Sequence, residues 1–224
     1  MQFGLLEMWN AMGAVAKTVA ILLIFLSIIT IYLFIERQIV FAKARKISKN
    51  IAPKIASLLK AGKITEALTL SSKKENKGSH LARVSASGIK EFVEGGEAGL
   101  AKTQKIESAQ RGCDRAHVIF AQELKRGLPI MATVATSSPF IGLFGTISGI
   151  INAFRGMSIT GSGGIGAVAG GISEALITTA FGIGVAILAL WCYNVLNSKT
   201  EIIGAEMDNT TSEIVDYFVR EEQG

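Results

Sequence analysis

Three polar side chains stand near the start of an otherwise apolar stretch, residues 172–196. Glu174 is its only charged residue, and Thr178 and Thr179 follow about one helical turn later. A carboxylate accepts hydrogen bonds or takes up a proton, and a hydroxyl both donates and accepts. Because such groups are costly inside a lipid bilayer, they mark a candidate path for an ion or a proton.

Two further stretches have the same apolar character, residues 14–35 and residues 127–154. Each of the three stretches reaches or exceeds the roughly 20 residues that a helix needs to cross about 30 Å of hydrocarbon. The composition agrees, with 49% hydrophobic residues and 24 glycines among 224 residues. We therefore predict an all-α integral membrane protein with transmembrane helices at residues 14–35, 127–154 and 172–196.

The basic residues predict the orientation of these three helices. Of the 23 lysines and arginines, 19 lie in residues 36–126, which places this segment in the cytoplasm. The same rule predicts an external N-terminal segment at residues 1–13, an external loop at residues 155–171 and a cytoplasmic C-terminal helix at residues 197–224. The charge favours contact with anionic lipid, and we expect no nucleic-acid partner because no binding motif accompanies it.

Residues 14–35 have a second interpretation as a cleaved signal peptide, since Ala42-Lys43-Ala44 resembles a cleavage site. The apolar run is longer than a typical signal sequence, and most of the nearby basic residues follow it instead of preceding it. These two features favour a retained membrane anchor.

The cytoplasmic segment is predicted to be helical. A stripe of isoleucines and leucines stops near Gly62, and the polar residues 71–79 and the pair Gly95-Gly96 predict two further breaks. From Glu97 onward the sequence predicts one continuous helix into span two. Span three is predicted to continue in the same way, because an apolar face extends past Asn197 and fits against that helix or a neighbouring subunit. A surface amphipathic helix is the alternative. The apolar face comprises Ile203, Met207, Ile214 and Phe218.

Small residues in spans two and three predict close helix packing. Gly145 and Gly149 form a G-x-x-x-G pair, and the pairs Ser138–Gly142 and Ala180–Gly184 have the same spacing. Pro139 removes one backbone hydrogen bond from span two, which predicts a kink. We assign the neighbouring hydroxyls, at residues 136–138, to the backbone groups that this proline frees.

The remaining polar residues of spans two and three are predicted to lie at similar depths in the membrane. If span two ends near Phe154 and span three begins near Gly170, Thr146 lies 8 residues and Thr179 lies 9 residues from the outer ends of their helices, about 12 and 13 Å deep. Glu174 lies about one turn nearer the outside, with Thr178 on its face at i+4. We predict a proton pathway through Thr146, Thr179 and Glu174, with Thr178 as a further lining candidate. The alternative is that each threonine bonds the i−4 carbonyl of its own helix.

Other kinds of chemistry have no pattern to support them in the sequence. We find no ATP-binding loop, nucleophile–base pair or metal cluster, so we expect neither an enzyme nor a cofactor. Residues 161–166, GSGGIG, match a dinucleotide-binding motif literally, but no strand precedes them and a membrane span follows. We assign them to the external loop.

Two longer motifs resemble a known family. Residues 138–151, SPFIGLFGTISGII, residues 169–182, AGGISEALITTAFG, and Tyr193-Asn194 are similar to the ExbB/TolQ/MotA proton-channel family. The resemblance implies a homopentamer in the bacterial inner membrane that encloses a dimer of single-span ExbD/TolR-like subunits. It also implies that Thr146 and Thr179 match the pore-lining threonines, and that Glu174 matches the glutamate of the A-E-A-L motif.

The same resemblance implies a function. Protons would pass between the ring and a membrane aspartate of each enclosed subunit, and their flow would deliver mechanical energy to the cell envelope through a TonB/TolA-like periplasmic protein. The work would be envelope integrity, TonB-type uptake or gliding. A structural membrane scaffold and a stand-alone ion channel are the competing hypotheses.

Overall fold

The computed structural model describes Trp9, residues 12–160 and residues 165–221. In this part of the chain all regular structure is helical, which confirms the predicted all-α fold. The helices are α1 (Ala14–Lys60), α2 (Ile64–Ser72), a short 3₁₀ helix (Lys74–Asn76), α3 (His80–Glu97), α4 (Lys102–Lys125), α5 (Leu128–Thr160) and α6 (Ile165–Glu221).

The chain forms two compact units. The first, which we call the apolar unit, combines Met1–Ile35 with Gly127–Val195. The second, which we call the basic unit, combines Glu36–Arg126 with Leu196–Gly224. The helices α1 and α6 each contribute residues to both units.

The apolar unit has a small core to which α1, α5 and α6 all contribute. The core consists of aliphatic side chains with exposures of 5% or less. They are Val19, Leu23, Val134, Val185 and Ala189. Phe34 and Trp191 add a tilted ring contact with centroids 5.7 Å apart. Van der Waals packing of these side chains holds the three helices against one another.

The outer faces of the apolar unit are also apolar. Large side chains such as Phe25, Phe140 and Ile187 are 57%, 71% and 63% exposed. A soluble protein does not expose an apolar surface of this extent, whereas a lipid bilayer or neighbouring helices cover it. All three helices are long and apolar enough to cross a membrane, in agreement with the three predicted spans.

Left-handed glycines end two helices of the basic unit. At Gly62, with φ of 73°, Lys63 N–H donates to Leu58 C=O and Gly62 N–H donates to Leu59 C=O. Gly99, with φ of 70°, repeats this Schellman arrangement through Leu100 N–H and Gly95 C=O. The break at Gly62 agrees with the prediction. The break predicted at Gly95-Gly96 lies instead at Gly99, because the first two glycines remain helical.

The continuous helix predicted from Glu97 into span two is wrong. Two breaks interrupt it, the first at residues 98–101 and the second between α4 and α5 at Gly127, which has φ of 88°. A side chain rarely adopts that conformation, whereas glycine adopts it readily. The long extension follows span one instead, because α1 runs without a break to Lys60. The predicted extension of span three is confirmed by α6, which runs to Glu221.

The predicted external loop, residues 155–171, is mostly helical where the structure describes it. Residues 155–160 belong to α5 and residues 165–171 belong to α6, while residues 161–164 lie outside the described residues. A Cβ atom on Gly171 would lie 2.6 Å from Cβ of Ala153, so the two helices still pack tightly at this level. This contact stabilises helix beyond the predicted spans. Of the predicted N-terminal segment, the structure describes only Trp9, Met12 and Gly13.

The apolar face of residues 197–224 is buried within the basic unit. Met207 and Phe218 are fully buried, and Ile203 and Ile214 are each 3% exposed. The Phe218 ring stacks on Phe92 of α3 with centroids 3.8 Å apart. The face is therefore packed, as predicted, and the alternative of a surface helix is excluded. Its aromatic contact is with α3, however, which precedes the helix that the prediction named as its partner.

A buried polar network joins α1, α3 and α6 in the basic unit. His80 is fully buried, with Nε2 2.7 Å from Glu206 Oε2 and Nδ1 3.0 Å from Ser48 Oγ. Ser48 Oγ lies 2.7 Å from Ser79 Oγ, which accepts the N–H of Ala82 and so caps α3. Burial lowers the pKa of His80, which opposes the effect of the hydrogen bond with Glu206.

Candidate functional site

Small residues bring α5 and α6 into backbone contact. A Cβ atom on Gly142 would lie 2.6 Å from Thr178 O, and one on Gly182 would lie 2.5 Å from Ser138 O. Added Cβ atoms on Gly145 and Gly149 would clash with Thr178 and Ala175. We call this contact the glycine seam. Only glycine fits at these positions, as close helix packing in membranes requires.

Three hydroxyl groups meet inside the glycine seam. Thr146 Oγ1 of α5 lies 2.5 Å from Thr179 Oγ1 of α6 and 3.4 Å from Thr178 Oγ1. The sequence placed Thr146 and Thr179 at the same depth, and their contact confirms this prediction. The structure therefore brings together two of the three residues of the predicted pathway.

The hydrogen-bond directions at Thr146 follow from its partners. Thr146 Oγ1 lies 2.7 Å from the carbonyl oxygen of Ala175, which can only accept, so Thr146 donates its proton there. Thr179 then donates to Thr146 and keeps its own lone pairs available. Thr146 is 8% exposed, whereas Thr179 is partly exposed. The accessible hydroxyl of the pair is therefore that of Thr179, and its hydrogen bond to the buried Thr146 fixes its orientation.

Thr178 was predicted to line the proton pathway, but its side chain lies deeper, inside the glycine seam. It is 1% exposed, and its Oγ1 lies 2.7 Å from Ala175 O and 3.1 Å from Gly142 O. Both partners are carbonyl groups, one on its own helix and one on α5. Its hydroxyl therefore connects the two helices. The i−4 alternative holds only weakly for Thr146, whose distance to Gly142 O is 3.4 Å.

Glu174 contacts the beginning of α1. Its Oε1 accepts the backbone N–H of Gly13 at 2.5 Å, and Gly13 directly precedes the first residue of α1. The first N–H groups of a helix lack partners within it and carry partial positive charge, so a carboxylate stabilises them. This contact gives Glu174 a role in positioning α1 against α6.

Pro139 lies within α5, which continues as a helix through it. Because proline has no N–H, the carbonyl of Ala135, four residues earlier, has no helical hydrogen-bond donor. The three hydroxyls that precede Pro139 donate to other carbonyls instead. Ser138 donates to Val134 O at 2.6 Å, Ser137 donates to Thr133 O at 2.7 Å, and Thr136 donates to Ala132 O at 3.0 Å. The predicted compensation at Pro139 is therefore wrong in its target.

Part of the glycine seam was predictable from the sequence. The predicted small residues of α5 line it, including Gly145 and Gly149. On α6, however, the predicted pair Ala180–Gly184 does not face α5, because Ala180 is exposed and nothing lies within 4 Å of a Cβ atom on Gly184. The missed signal is the recurrence of small residues at spacings of 4, 3 and 4. On α6 these residues are Gly171, Ala175, Thr178 and Gly182.

The fold and this site define a class of protein. Three apolar helices, two of them in backbone contact around paired hydroxyls, form a multi-pass membrane protein with a polar contact inside the membrane segment. Residues 77–209 match the model of the MotA/TolQ/ExbB proton channel family, and the chain belongs to this family. The predicted family is confirmed, and Thr146, Glu174, Thr178 and Thr179 all lie in the matched segment.

Individual relatives agree with this assignment. The Tol-Pal system protein TolQ of Haemophilus influenzae is 30% identical over 224 residues, which cover this whole chain and 97% of that protein. The biopolymer transport protein ExbB of Xanthomonas campestris pv. campestris is 35% identical over 127 residues, 56% of this chain. That match spans half the length of the Xanthomonas protein. The TolQ of Pseudomonas aeruginosa is 44% identical over 82 residues, 37% of this chain and 36% of that protein.

These similarities establish the family and the general character of the chain. It is a multi-pass membrane protein of a proton channel family. The relatives are named for biopolymer transport and for the Tol-Pal system.

Proposed function

We propose that this chain is the ring subunit of an inner-membrane motor that the proton motive force drives. Five copies would enclose a dimer of ExbD/TolR-like subunits, and the assembly would transmit mechanical energy to the envelope through a TonB/TolA-like protein. The contact between Thr146 and Thr179 supports this proposal most directly, because it presents a polar group from within a tightly packed apolar unit.

The hydroxyl pair suits proton transfer to and from a partner carboxyl group. A protonated aspartic acid would donate a hydrogen bond to the free lone pairs of Thr179. After the aspartate loses its proton, Thr179 would rotate and donate to the carboxylate, giving up its bond to Thr146. The buried Thr146 remains held by Ala175 O in both states. The pair therefore offers both protonation states of the partner a hydrogen bond.

The energy source fits this chemistry. One elementary charge that crosses about 100 mV releases about 2.3 kcal/mol, so several protons are needed for a substantial mechanical step.

We propose the N-terminus in the periplasm and the C-terminus in the cytoplasm. The concentration of basic residues in residues 36–126 supports this orientation. Glu174 and the start of α1 would then lie towards the periplasmic side.

The double variant Thr146→Val, Thr179→Val tests the pathway. Valine keeps the shape and removes both hydroxyls. We expect proton flux per assembled complex to fall roughly ten- to hundredfold, because a hydrogen bond to a charged group contributes about 1.5–3 kcal/mol. Flux is measured with a pH-sensitive dye inside liposomes that contain the co-purified complex.

A matched control lies in the same span. Thr136 is exposed, and its hydroxyl bonds carbonyls of its own helix, so Thr136→Val should leave flux unchanged. Wild-type flux from the assembled double variant would contradict the proposed pathway. If the wild-type complex assembles but never moves protons, the scaffold hypothesis is correct. Conductance from this chain alone would support a stand-alone channel.

A further inference from the structure

A cavity of about 510 Å³ opens in the basic unit between α1, α4 and the turn before α3. Four basic residues line it, Arg37, Lys43, Lys77 and Arg126. Its apolar wall includes Val40 and Phe120, together with the buried side chain of Leu124. The cavity therefore combines a cationic rim with an apolar surface, and its volume lies in the usual range for ligand pockets.

The acidic groups at this cavity are already paired. Glu36 accepts hydrogen bonds from two guanidinium nitrogens of Arg37, one of them at 2.6 Å, and Arg37 also donates to Glu123 O at 3.0 Å. The carboxylate of Glu123 forms an ion pair with Arg83 at 2.7 Å. Arg37 and Glu123 thus contribute no net charge to the cavity.

The remaining three cations give the cavity its charge. Lys43, Lys77 and Arg126 are exposed, and among the residues that the structure describes none of them lies within 4 Å of a carboxylate oxygen. The hydrogen bond from Arg37 lowers the pKa of Glu36, and the more distant charge of Arg126 lowers this pKa further by a smaller amount. Glu36 therefore stays ionised. Three positive charges around one cavity attract an anion that has several hydrogen-bond acceptor oxygens, such as a phosphate group.

Chain position relates the cavity to the membrane surface. Arg37 follows Ile35, the last residue of predicted span one, by two residues, and α1 has no break between them. Two residues correspond to about 3 Å along a helix, within the headgroup region that flanks the hydrocarbon core. Lys43, eight residues after Ile35, lies about 12 Å along α1, and side chains of a helix tilt back towards its N-terminal end, here towards the membrane. Arg126 likewise precedes Leu128, where α5 begins, by two residues. Basic pockets at this level contact lipid headgroups.

We propose that this cavity binds the headgroup of an anionic glycerophospholipid. The phosphodiester would contact Lys43, Lys77 and Arg126, and the glycerol ester end would lie against Val40, Phe120 and Leu124. The inference rests on the assignment of α1 and α5 as membrane spans and is independent of the motor mechanism.

Lipid retention by the purified chain tests this site. The purified, delipidated protein is titrated with phosphatidylglycerol or phosphatidylcholine of the same acyl chains, and bound lipid is counted by native mass spectrometry. We expect roughly tenfold tighter binding of phosphatidylglycerol, the effect of about 1.4 kcal/mol. The triple variant Lys43→Gln, Lys77→Gln, Arg126→Gln should bind both lipids equally.

The matched control removes the same charge elsewhere on the basic unit. Lys46→Gln, Lys49→Gln, Lys54→Gln changes three exposed lysines of α1 that do not line the cavity, and it should keep the preference for phosphatidylglycerol. If the first triple variant does not fold, Arg126→Gln alone should reduce the preference about threefold, or about 0.6 kcal/mol.

Three results would overturn the proposal. The first is equal binding of both lipids by the wild type. The second is an equal loss of the preference in both triple variants, which would indicate diffuse charge attraction. The third is displacement of the lipid by millimolar inorganic phosphate or by a soluble acidic peptide, which would make a free phosphate or a protein segment the occupant.

Discussion

Glu174 carries the only carboxylate of residues 172–196, and its contact with Gly13 N–H gives a specific expectation. Glu174→Gln keeps an acceptor and loses the charge, which costs about 0.3–1 kcal/mol at a helix N-terminus. Glu174→Ala also removes the acceptor and should cost about 0.5–2 kcal/mol. We expect the thermal midpoint of the purified complex to fall slightly for the glutamine variant and further for the alanine variant.

Proton flux distinguishes this positioning role from direct participation in the pathway. If Glu174 positions α1, the glutamine variant should retain most of the flux per assembled complex. A glutamine variant with an unchanged thermal midpoint and no flux would instead place the Glu174 carboxylate on the proton path, as its position in the sequence predicted.

His80 makes the basic unit sensitive to pH. Because burial lowers its pKa, folded protein binds fewer protons there than unfolded protein, whose histidine titrates near about 6.5. Stability is therefore greatest above pH about 6.5 and falls as the pH decreases below it. The neutral ring fits its partners, since Nε2–H donates to Glu206 and Nδ1 accepts from Ser48.

Hydrogen exchange in α3 measures this pH dependence. Between pH 7.5 and 5.5 we expect wild-type protection to fall by about 1 kcal/mol, within the limit of about 1.4 kcal/mol per pH unit for one proton. His80→Gln supplies a donor and an acceptor without a titrating ring, so its protection should change less. The protection of α3 in the two proteins is compared at each pH. If it changes equally with pH in both, His80 is not the cause of the pH dependence.

Some residue contacts were predictable from the sequence and others were not. Counting residues from the membrane boundary sufficed to place Thr146 beside Thr179, since each rises about 1.5 Å per position on its own helix. The bond from Glu174 to Gly13 depends on how α1 is rotated and packed against α6. Sequence periodicity does not specify that rotation, because the outer faces of these helices are apolar as well.

At the scale of the helices, the glycine seam predicts a large effect from one methyl group. In Gly182→Ala the new Cβ would meet Ser138 O at 2.5 Å, a backbone atom that cannot move alone. The two helices must separate, at a cost of about 1–3 kcal/mol, and the Thr146–Thr179 bond should break. We expect both a lower thermal midpoint and a lower proton flux.

The control for this variant lies on the same helix. A Cβ atom on Gly170 meets nothing within 4 Å, so Gly170→Ala should be neutral or slightly stabilising because alanine favours helix. Equal thermal midpoints for the two variants would mean that α5 and α6 do not pack as closely as the structure places them.

The ends of the helices were predictable only in part. Gly62 was identifiable because an apolar stripe stopped at the glycine. In EGGEAG, residues 94–99, three glycines compete, and the left-handed conformation falls on the last of them. Gly127 is the first residue of the apolar stretch 127–154, so periodicity continued through it and predicted a helix where φ is 88°. The choice among neighbouring glycines depends on tertiary packing, which a local pattern does not contain.

For the whole molecule, the exposed apolar faces indicate what must surround a single chain. Lipid covers some of this surface, but α6 also carries the small-residue pair Ala180 and Gly184. Ala180 is exposed, and none of the residues that the structure describes lies within 4 Å of a Cβ atom added to Gly184. Such a pair allows the close approach of another helix. A neighbouring copy or an enclosed subunit fits this position, in line with the proposed ring.

The number of copies is the prediction that tests the assembly as a whole. Native mass spectrometry of the complex, purified after co-expression with a small single-span partner, should give five copies of the 23.8 kDa chain and two of the partner. A ring without a partner would favour the scaffold hypothesis, and a lone chain that conducts ions would favour the channel. Five copies around two would justify measuring proton flux in the Thr146 and Thr179 variants next, because an enclosed dimer supplies the carboxyl groups that this chain lacks beside its hydroxyl pair.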